Sequence, residues 1–394
     1  MPFSKLILKP GKERSLDRFH PWIFTGAILK KEGKINDGDM VEILDYQQNY
    51  KATAFFQSEN TICAKIFSFN GGKGDYHFWK ERVTQAYALR QQMGFTGNSE
   101  NNVYRLINAE GDGFPGLIVD IYNKVAVIQF HSLGFYKIKE NLVKALQEVL
   151  GNDLTAVYNK SKSTLNCEEE LPEGWLLGKV KMPVPIIENG VNFLVDIIEG
   201  QKTGFFIDQH ENRKLLGRFS ENAKVLNLFG YTGGFSCYAI KNGASLIHTV
   251  DVSASAIAMT EENIKLNAKE NSVHQGFARD TFEFLDNTDE MYDIIVVDPP
   301  AFAKHQRYID NALKGYRNVN QKALKHLKPG GLLFTFSCSQ AVSAMDFRTA
   351  IFSAVALEKR DAQIVYQSGH SADHPVSIFH PEGEYLKGLV LRVL

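Results

Sequence analysis

At 394 residues with a 44% hydrophobic fraction, the chain is too long for one ordinary core and reads as a soluble protein of about two to three domains. No apolar run approaches the about 18 to 20 residues that cross a bilayer, and the charged opening after Met1-Pro2-Phe3-Ser4-Lys5 is not a secretory leader. A net charge of −1 excludes a globally basic nucleic-acid binder, and the four scattered cysteines make neither a zinc site nor a disulfide framework, which places the chain in a reducing, cytoplasmic setting.

Residues 1 to about 70 read as short strands, at Leu6–Leu8, Met40–Leu44, Ala52–Phe56 and Ile62–Ile66, separated by glycine turns. This predicts a small β-barrel-like domain over 1–72. Its first 34 residues carry eight Lys or Arg against three acids. That excess, Lys9 to Arg18 included, is either a solvated face or a phosphate-binding patch. Residues 78–94 predict a linker helix. A second, central α+β domain runs to 190, with a hairpin about Tyr122-Asn123-Lys124, a helix at 137–150 and strands at Ala156–Tyr158 and Pro185–Ile187. The polar, acidic Asn159–Trp175 segment is expected to loop out.

From Lys224 strands and helices alternate. Strands are expected at Val225–Phe229, Leu246–Val250, Val273–Phe277, Ile294–Val297 and Gly331–Phe336, with helices from the glycine turn to Ala239, at Ala254–Leu266 and at Ala312–Leu327. The pattern predicts a doubly wound, mostly parallel sheet within a 191–394 domain. Leu386–Leu394 is expected to close an edge in antiparallel sense.

Such sheets bind ligands beyond the carboxyl ends of their strands. The first end is Phe229-Gly230-Tyr231-Thr232-Gly233-Gly234, either a strand–helix connection or a cradle for a ligand. Asp251 follows about 20 residues after Gly230. There a carboxylate can accept ribose hydroxyls, or merely cap the next helix. Asp298-Pro299-Pro300-Ala301-Phe302 stops a strand stiffly. It is either a terminator or a polar clamp that sets a carboxylate beside an aromatic, suited to a flipped base. Cys338, in Ser337-Cys338-Ser339, is either core packing or a nucleophile in the same cleft as Asp298. Lys304, His305 and Arg307 are candidate phosphate contacts or an exposed loop. His370, His374 and His380 are spaced like no standard metal site, so no metal is expected.

Together these blocks resemble class I S-adenosylmethionine-dependent methyltransferases. More closely, they are similar to the bacterial ribosomal RNA cytosine-C5 methyltransferases with an N-terminal PUA domain. Leu226–Phe235, Asp298-Pro299-Pro300 and Ser337-Cys338-Ser339 carry the likeness, as does Glu199–Gln209 with Glu211-Asn212-Arg213. So do Lys9-Pro10-Gly11, His20–Phe24, Asn108–Asp120, Asp373-His374-Pro375 and Tyr385–Gly388. The match spans almost the whole chain.

The resemblance implies an α/β enzyme with a Rossmann-like methyltransferase sheet, a PUA β-barrel and a small central domain. It also implies S-adenosylmethionine as cofactor, methylation of C5 of a cytosine in large-subunit ribosomal RNA, and a homodimer. Cys338 would add to C6, activated if its pKa is depressed, and Asp298 would protonate or hydrogen-bond the N3/N4 edge. The cofactor's adenosine would lie on the Phe229–Gly233 turn, with Asp251 on the ribose, Asp280 on the adenine, and Phe206 and Asn212 along the approach. Pro299, Pro300, Phe302 and Lys304 would meet substrate, and Lys9 and Arg18 would grip phosphate. The base that removes the C5 proton is not named by this pattern. Some related C5 enzymes have a second cysteine after the proline of the Asp298 motif; Ala301 stands there instead. The competing expectations are methylation of an exocyclic amino group, which needs no cysteine, and a non-catalytic RNA-binding assembly factor. A nicotinamide dehydrogenase does not fit, because the turn lacks the third-glycine spacing.

Overall fold

The computed structural model describes residues 3–58, 61–165, 171–269, 272–303 and 306–394. It divides into two compact units. One comprises Met1–Ile186, Val195–Phe205 and Ala372–Gly383; the other comprises Ile187–Leu194, Phe206–Ser371 and Glu384–Leu394.

In the first unit β1 (Ser4–Leu8), β2 (Trp22–Phe24), β3 (Ile28–Glu32), β4 (Met40–Leu44), β5 (Tyr50–Phe56) and β6 (Ile62–Ser68) form one sheet, ordered β2-β6-β5-β4-β1-β3. The expected strands are present. β2 and β3 were not foreseen, being short and, in β3, largely exposed and charged. α1 (Tyr76–Gln92) is capped by Asp75, whose side chain accepts from the Phe78 amide. A second sheet follows, of β7 (Val103–Asn108), β8 (Leu117–Tyr122), β9 (Val125–Phe130), β10 (Ala156–Asn159) and β11 (Gly174–Leu177), ordered β11-β10-β9-β8-β7. The β8–β9 hairpin turns at Asn123, whose φ of 59° suits asparagine. The helix expected at 137–150 is α3 (Lys139–Leu150), preceded by a separate short helix, α2 (Leu133–Lys137). They part at Ile138, which leaves the helical region at φ −106°, ψ 19°.

The boundary expected near residue 72 is not a break in packing. Phe55 and Phe67 share one buried cluster with Trp79, Phe114 and Phe135. The Trp79 ring lies 5.0 Å from that of Phe67 and 5.1 Å from that of Phe135. Fully buried Arg90 is satisfied by both Asp112 oxygens and by the carbonyls of Arg105 and Asp373. Asp373 accepts from the Arg105 amide and from His374 Nδ1. The Asp373-His374-Pro375 block is therefore a structural anchor. β12 (Val184–Glu188) and β13 (Val191–Val195) form a two-stranded ribbon.

After Ile187–Leu194 the second unit resumes at Phe206, and its first helix is α4 (His210–Gly217). It continues as β14 (Lys224–Leu228), α5 (Gly234–Lys241), β15 (Leu246–Asp251), α6 (Ala254–Lys265), β16 (Val273–Ala278), α7 (Thr281–Asn287), β17 (Tyr292–Val297), α8 (Ile309–Lys325), β18 (Leu327–Ser337), α9 (Ala344–Leu357), β19 (Ala362–Ser368) and β20 (Lys387–Val393). Its sheet is ordered β16-β15-β14-β17-β18-β20-β19, parallel except where β20 runs antiparallel to both neighbours. The topological switch lies between β14 and β17. Leu226, Leu228, Ile295, Val297 and Leu333 pack with Tyr316 and Val319 of α8 and Phe347 of α9.

The last strand is antiparallel, as expected, but not at an edge. β20 is almost wholly buried, whereas β19 is mostly exposed. The strand apolar on both faces takes the interior place, and the amphipathic one takes the rim. Among the described residues no helix is long and apolar enough to cross a membrane.

Candidate active site

Parallel pairing brings the carboxyl ends of β14 to β18 to one side of the sheet. Leu228 is in register with Val250 and Val297, Asp251 with Ala278, and Val297 with Thr335. Phe229–Gly233, Asp251, Asp280, Asp298 and Cys338 therefore share one rim, as the sequence led us to expect.

The turn after β14 is tightly built. Phe229, Tyr231 and Gly233 have φ of 56°, 46° and 80°. Gly230 is required by packing beneath the turn: a Cβ there would lie 2.3 Å from Thr249 Cγ2. This is a different reason from close approach of a ligand. Side chains of α6 hold the turn's carbonyls, Thr260 on Tyr231 O at 3.0 Å and Asn263 on Thr232 O at 3.0 Å. Below them a buried polar chain links Asn227, Ser236, Thr249 and His274.

Asp251 does not cap α6; Ser253 does, accepting from the Ala256 amide. The Asp251 oxygens accept from the amides of Tyr231 and Ser253, each at 2.9 Å. The carboxylate is thus fixed at the end of β15 beside the turn. Asp280 caps α7 through Oδ1, which accepts from the Phe282 and Glu283 amides, and is otherwise exposed.

Phe206 sets its ring edge-on to Tyr231, centroids 5.3 Å apart. Its carbonyl accepts from Arg213, which also makes a buried two-pronged pair with Glu188 at 2.8 and 2.7 Å. Asn212 does not line an open approach as expected. It is buried, and its amide donates to Gln209 Oε1 at 2.6 Å and to Gly369 O at 3.2 Å. Gln209 in turn donates to Asp298 Oδ2 at 3.0 Å. Burial and the neighbouring Asp208 carboxylate push Asp298 up to about 7, against the pull of the Gln209 donor. A group with that value holds or gives a proton near neutrality.

Cys338 lies at the end of β18, partly buried, with its thiol 3.9 Å from Pro299 O. Its flanking serines explain the Ser-Cys-Ser pattern. Ser337 and Ser339 both bond the buried Tyr316 hydroxyl, at 2.9 and 2.8 Å. Lys387 donates to Ser339 O at 2.6 Å and to Tyr385 O at 2.8 Å. The expectation of a depressed thiol pKa is not met: burial, Asp298 and Asp208 push it up to about 12, and Lys387 opposes them. By contrast Cys63 and Cys237 are fully buried inside β6 and α5.

Pro299 is buried and Pro300 exposed. Phe302, expected beside the substrate, turns its ring toward Tyr316 at 4.8 Å and packs over Gly315 of α8. Lys304 and His305 lie outside the described residues, and Arg307 is exposed, stacked on Tyr308. In the other unit Lys9 and Arg18 are exposed, Lys9 donating to Gly26 O at 3.0 Å. Among the described residues no three His, Cys, Asp or Glu gather as a metal site.

Sequence reasoning did not single out Asp208, Gln209, Tyr316, Tyr385 or Lys387. Tyr385 donates to Asp208 Oδ2 at 2.7 Å. Asp208 and Gln209 sit in the Glu199–Gln209 block, and Tyr385 and Lys387 in the Tyr385–Gly388 block. Those two blocks were the signal that pointed to them.

The residues present fit a bound nucleoside: a fixed carboxylate at the end of the second strand, a left-handed turn beside it, and an aromatic pair at its flank. Comparison with known proteins agrees. Residues 161–358 match the family model described as S-adenosylmethionine-dependent methyltransferase, and residues 6–69 one described as a PUA-like domain. The chain is 37% identical to ribosomal RNA large subunit methyltransferase I of Shewanella denitrificans and 39% to that of Shewanella frigidimarina, over 99% of both chains in each case. It is 36% identical to that of Escherichia coli over the same share. Its fold is similar over 100% of both chains to a SAM-dependent methyltransferase structure from Streptococcus mutans (TM-score 0.83, 22% identity). It is similar to the same extent to a methyltransferase structure complexed with S-adenosylhomocysteine (TM-score 0.84, 22% identity).

Proposed function

Because this chain belongs to the S-adenosylmethionine-dependent methyltransferases, and among them to the family of ribosomal RNA large subunit methyltransferase I, we propose that it methylates C5 of a cytosine in large-subunit ribosomal RNA through a covalent adduct between Cys338 and C6. The observation that carries this reading is the placement of Cys338 and Asp298 at the ends of the adjacent strands β18 and β17, the thiol 3.9 Å from Pro299 O. C5 of cytosine is a poor nucleophile; addition of a thiolate at C6 makes it enamine-like. Asp298, raised to about 7 and so carrying a proton in a substantial fraction of molecules at neutrality, donates in that form to the N3/N4 edge and takes the charge that develops there. Once Asp298 carries a proton, one of the charges that raise the Cys338 thiol is gone. When bound, the cofactor supplies an electrophilic methyl on a cationic sulfonium.

In this reading Asp251 holds the ribose, and the Phe229, Gly230, Tyr231, Thr232 and Gly233 turn takes the adenosine. Asp280 meets the adenine through its outer oxygen, and Phe206 closes one side. Asn212 acts through Gln209 on Asp298. Pro299 and Pro300 hold the clamp stiff beside the base. Lys304, Lys9 and Arg18 contact RNA phosphate. We divide the chain into three functional segments, 1–72 for RNA, 73–190 as central α+β domain and 191–394 for methyl transfer; the six-, five- and seven-stranded sheets fall one in each, while the β12–β13 ribbon spans the second boundary. We place the enzyme in the cytoplasm and read it as a homodimer.

The test is mass spectrometry of ribosomal RNA from a deletion strain, complemented with wild type or with Cys338→Ala. Loss of one 5-methylcytidine, restored by wild type alone, is expected. Restoration by Cys338→Ala would favour the second reading, methylation of an exocyclic amino group, to which the raised thiol pKa also lends itself.

A further inference from the structure

We propose that Asp208 is the general base that removes the C5 proton after methylation and so frees Cys338. The inference rests on the C5 reading above, which requires such a base.

Asp208 sits in the turn before α4, next to Gln209, which bonds Asp298. Its Oδ2 is held by the Tyr385 hydroxyl at 2.7 Å, and its carbonyl accepts from the Ser371 amide at 3.1 Å. Tyr385 is itself tied to the nucleophile's loop, since Lys387 bridges Tyr385 O and Ser339 O. Asp208 is therefore next in sequence to the residue that bonds the acid, and is joined through Tyr385 and then Lys387 to Ser339, the neighbour of the nucleophile. Its charge is felt at both, raising Asp298 and Cys338 alike.

Its Oδ1 is buried and, among the described residues, accepts no hydrogen bond. The other carboxylates of the rim are engaged differently. Asp251 accepts two backbone amides, Asp280 caps a helix, and Asp298 accepts from Gln209. A shielded oxygen with no donor is what a base needs: its lone pairs are not already spent, and its partner oxygen is locked so the carboxylate cannot swing away.

The step balances. After methylation C5 carries both a hydrogen and the new methyl. Asp208 Oδ1 takes the proton, and the C5–H electron pair forms the C5=C6 bond. The C6–S bond breaks, and its pair leaves on Cys338 as thiolate. Asp208 returns its proton to solvent before the next turnover.

The experiment uses the full-length protein, Asp208→Asn, and RNA carrying [5-³H]cytidine. The variant is first shown to bind S-adenosylmethionine; Asp208→Ala serves if the asparagine form does not. We expect first-turnover methyl incorporation within several-fold of wild type, tritium release reduced at least about 100-fold, and a protein–RNA adduct that survives denaturing electrophoresis. Unchanged tritium release, or lost methylation without adduct, overturns the assignment. RNA containing 5-fluorocytidine, which has no C5 proton, separates the two levels of inference. Wild type and variant should then trap equally. If wild type traps nothing, the C5 reading fails. If it traps but Asp208→Asn accumulates no adduct on ordinary RNA, only the base is wrong.

Discussion

Asp298→Asn should make the protein more stable and inactive. The folded structure holds Asp298 at about 7 rather than its ordinary 3.8, chiefly through burial. The folded value is above the unfolded one, so the stability this group allows is fully present below about pH 4 and is lost as pH rises through about 7. Three units at about 1.36 kcal/mol each put the full cost at about 4 kcal/mol. Asparagine keeps an oxygen for the Gln209 donor and carries no charge. Its stability advantage over wild type should therefore widen by about 1.4 kcal/mol per pH unit between about pH 4 and 7, then stay level. Urea unfolding of both proteins at pH 5, 6, 7 and 8 measures this, with about 3 kcal/mol expected between the ends. Turnover of the variant should fall at least about 100-fold. A stability difference that does not move with pH would refute the burial argument, and retained turnover would refute the role.

Gly230→Ala sets a Cβ 2.3 Å from the methyl of fully buried Thr249, so the turn must shift, at about 1–3 kcal/mol. Cofactor affinity by calorimetry should drop at least about tenfold; unchanged affinity would mean the turn does not touch the cofactor. Arg213→Met strands the Glu188 carboxylate in a fully buried site and should cost about 3–5 kcal/mol in urea unfolding. Adding Glu188→Leu should recover most of that, and no recovery would show that the arginine stabilises by another route. Lys9→Glu with Arg18→Glu should weaken RNA binding and flatten its logarithmic salt dependence by about 1 to 2. Equal slopes would remove this surface from the RNA interface.

The rim of the sheet was legible because its signals are local. Apolar runs ended by Gly230, Asp251, Asp298-Pro299-Pro300 and Cys338 mark strand ends, and parallel strands necessarily gather their carboxyl ends on one side. Asp251 could be placed there without a structure, and Cys338 could be set at the same rim as Asp298. The alternation also determined the fold class, because a strand must bury its apolar side chains and the helices between must cover both faces.

What happens at that rim was decided by partners distant in sequence. Gln209 reaches Asp298 across 89 positions and Tyr385 reaches Asp208 across 177, separations at which no local pattern specifies a contact. Phe302 turned toward Tyr316 because α8 offers Gly315 beneath its ring. β20 displaced β19 from the interior because only it is apolar on both faces. The protonation of Asp298 and Cys338 follows from how much water the surrounding chains exclude and which charges they bring near. A sequence names the ionisable group, and the tertiary structure sets the free energy of its charge.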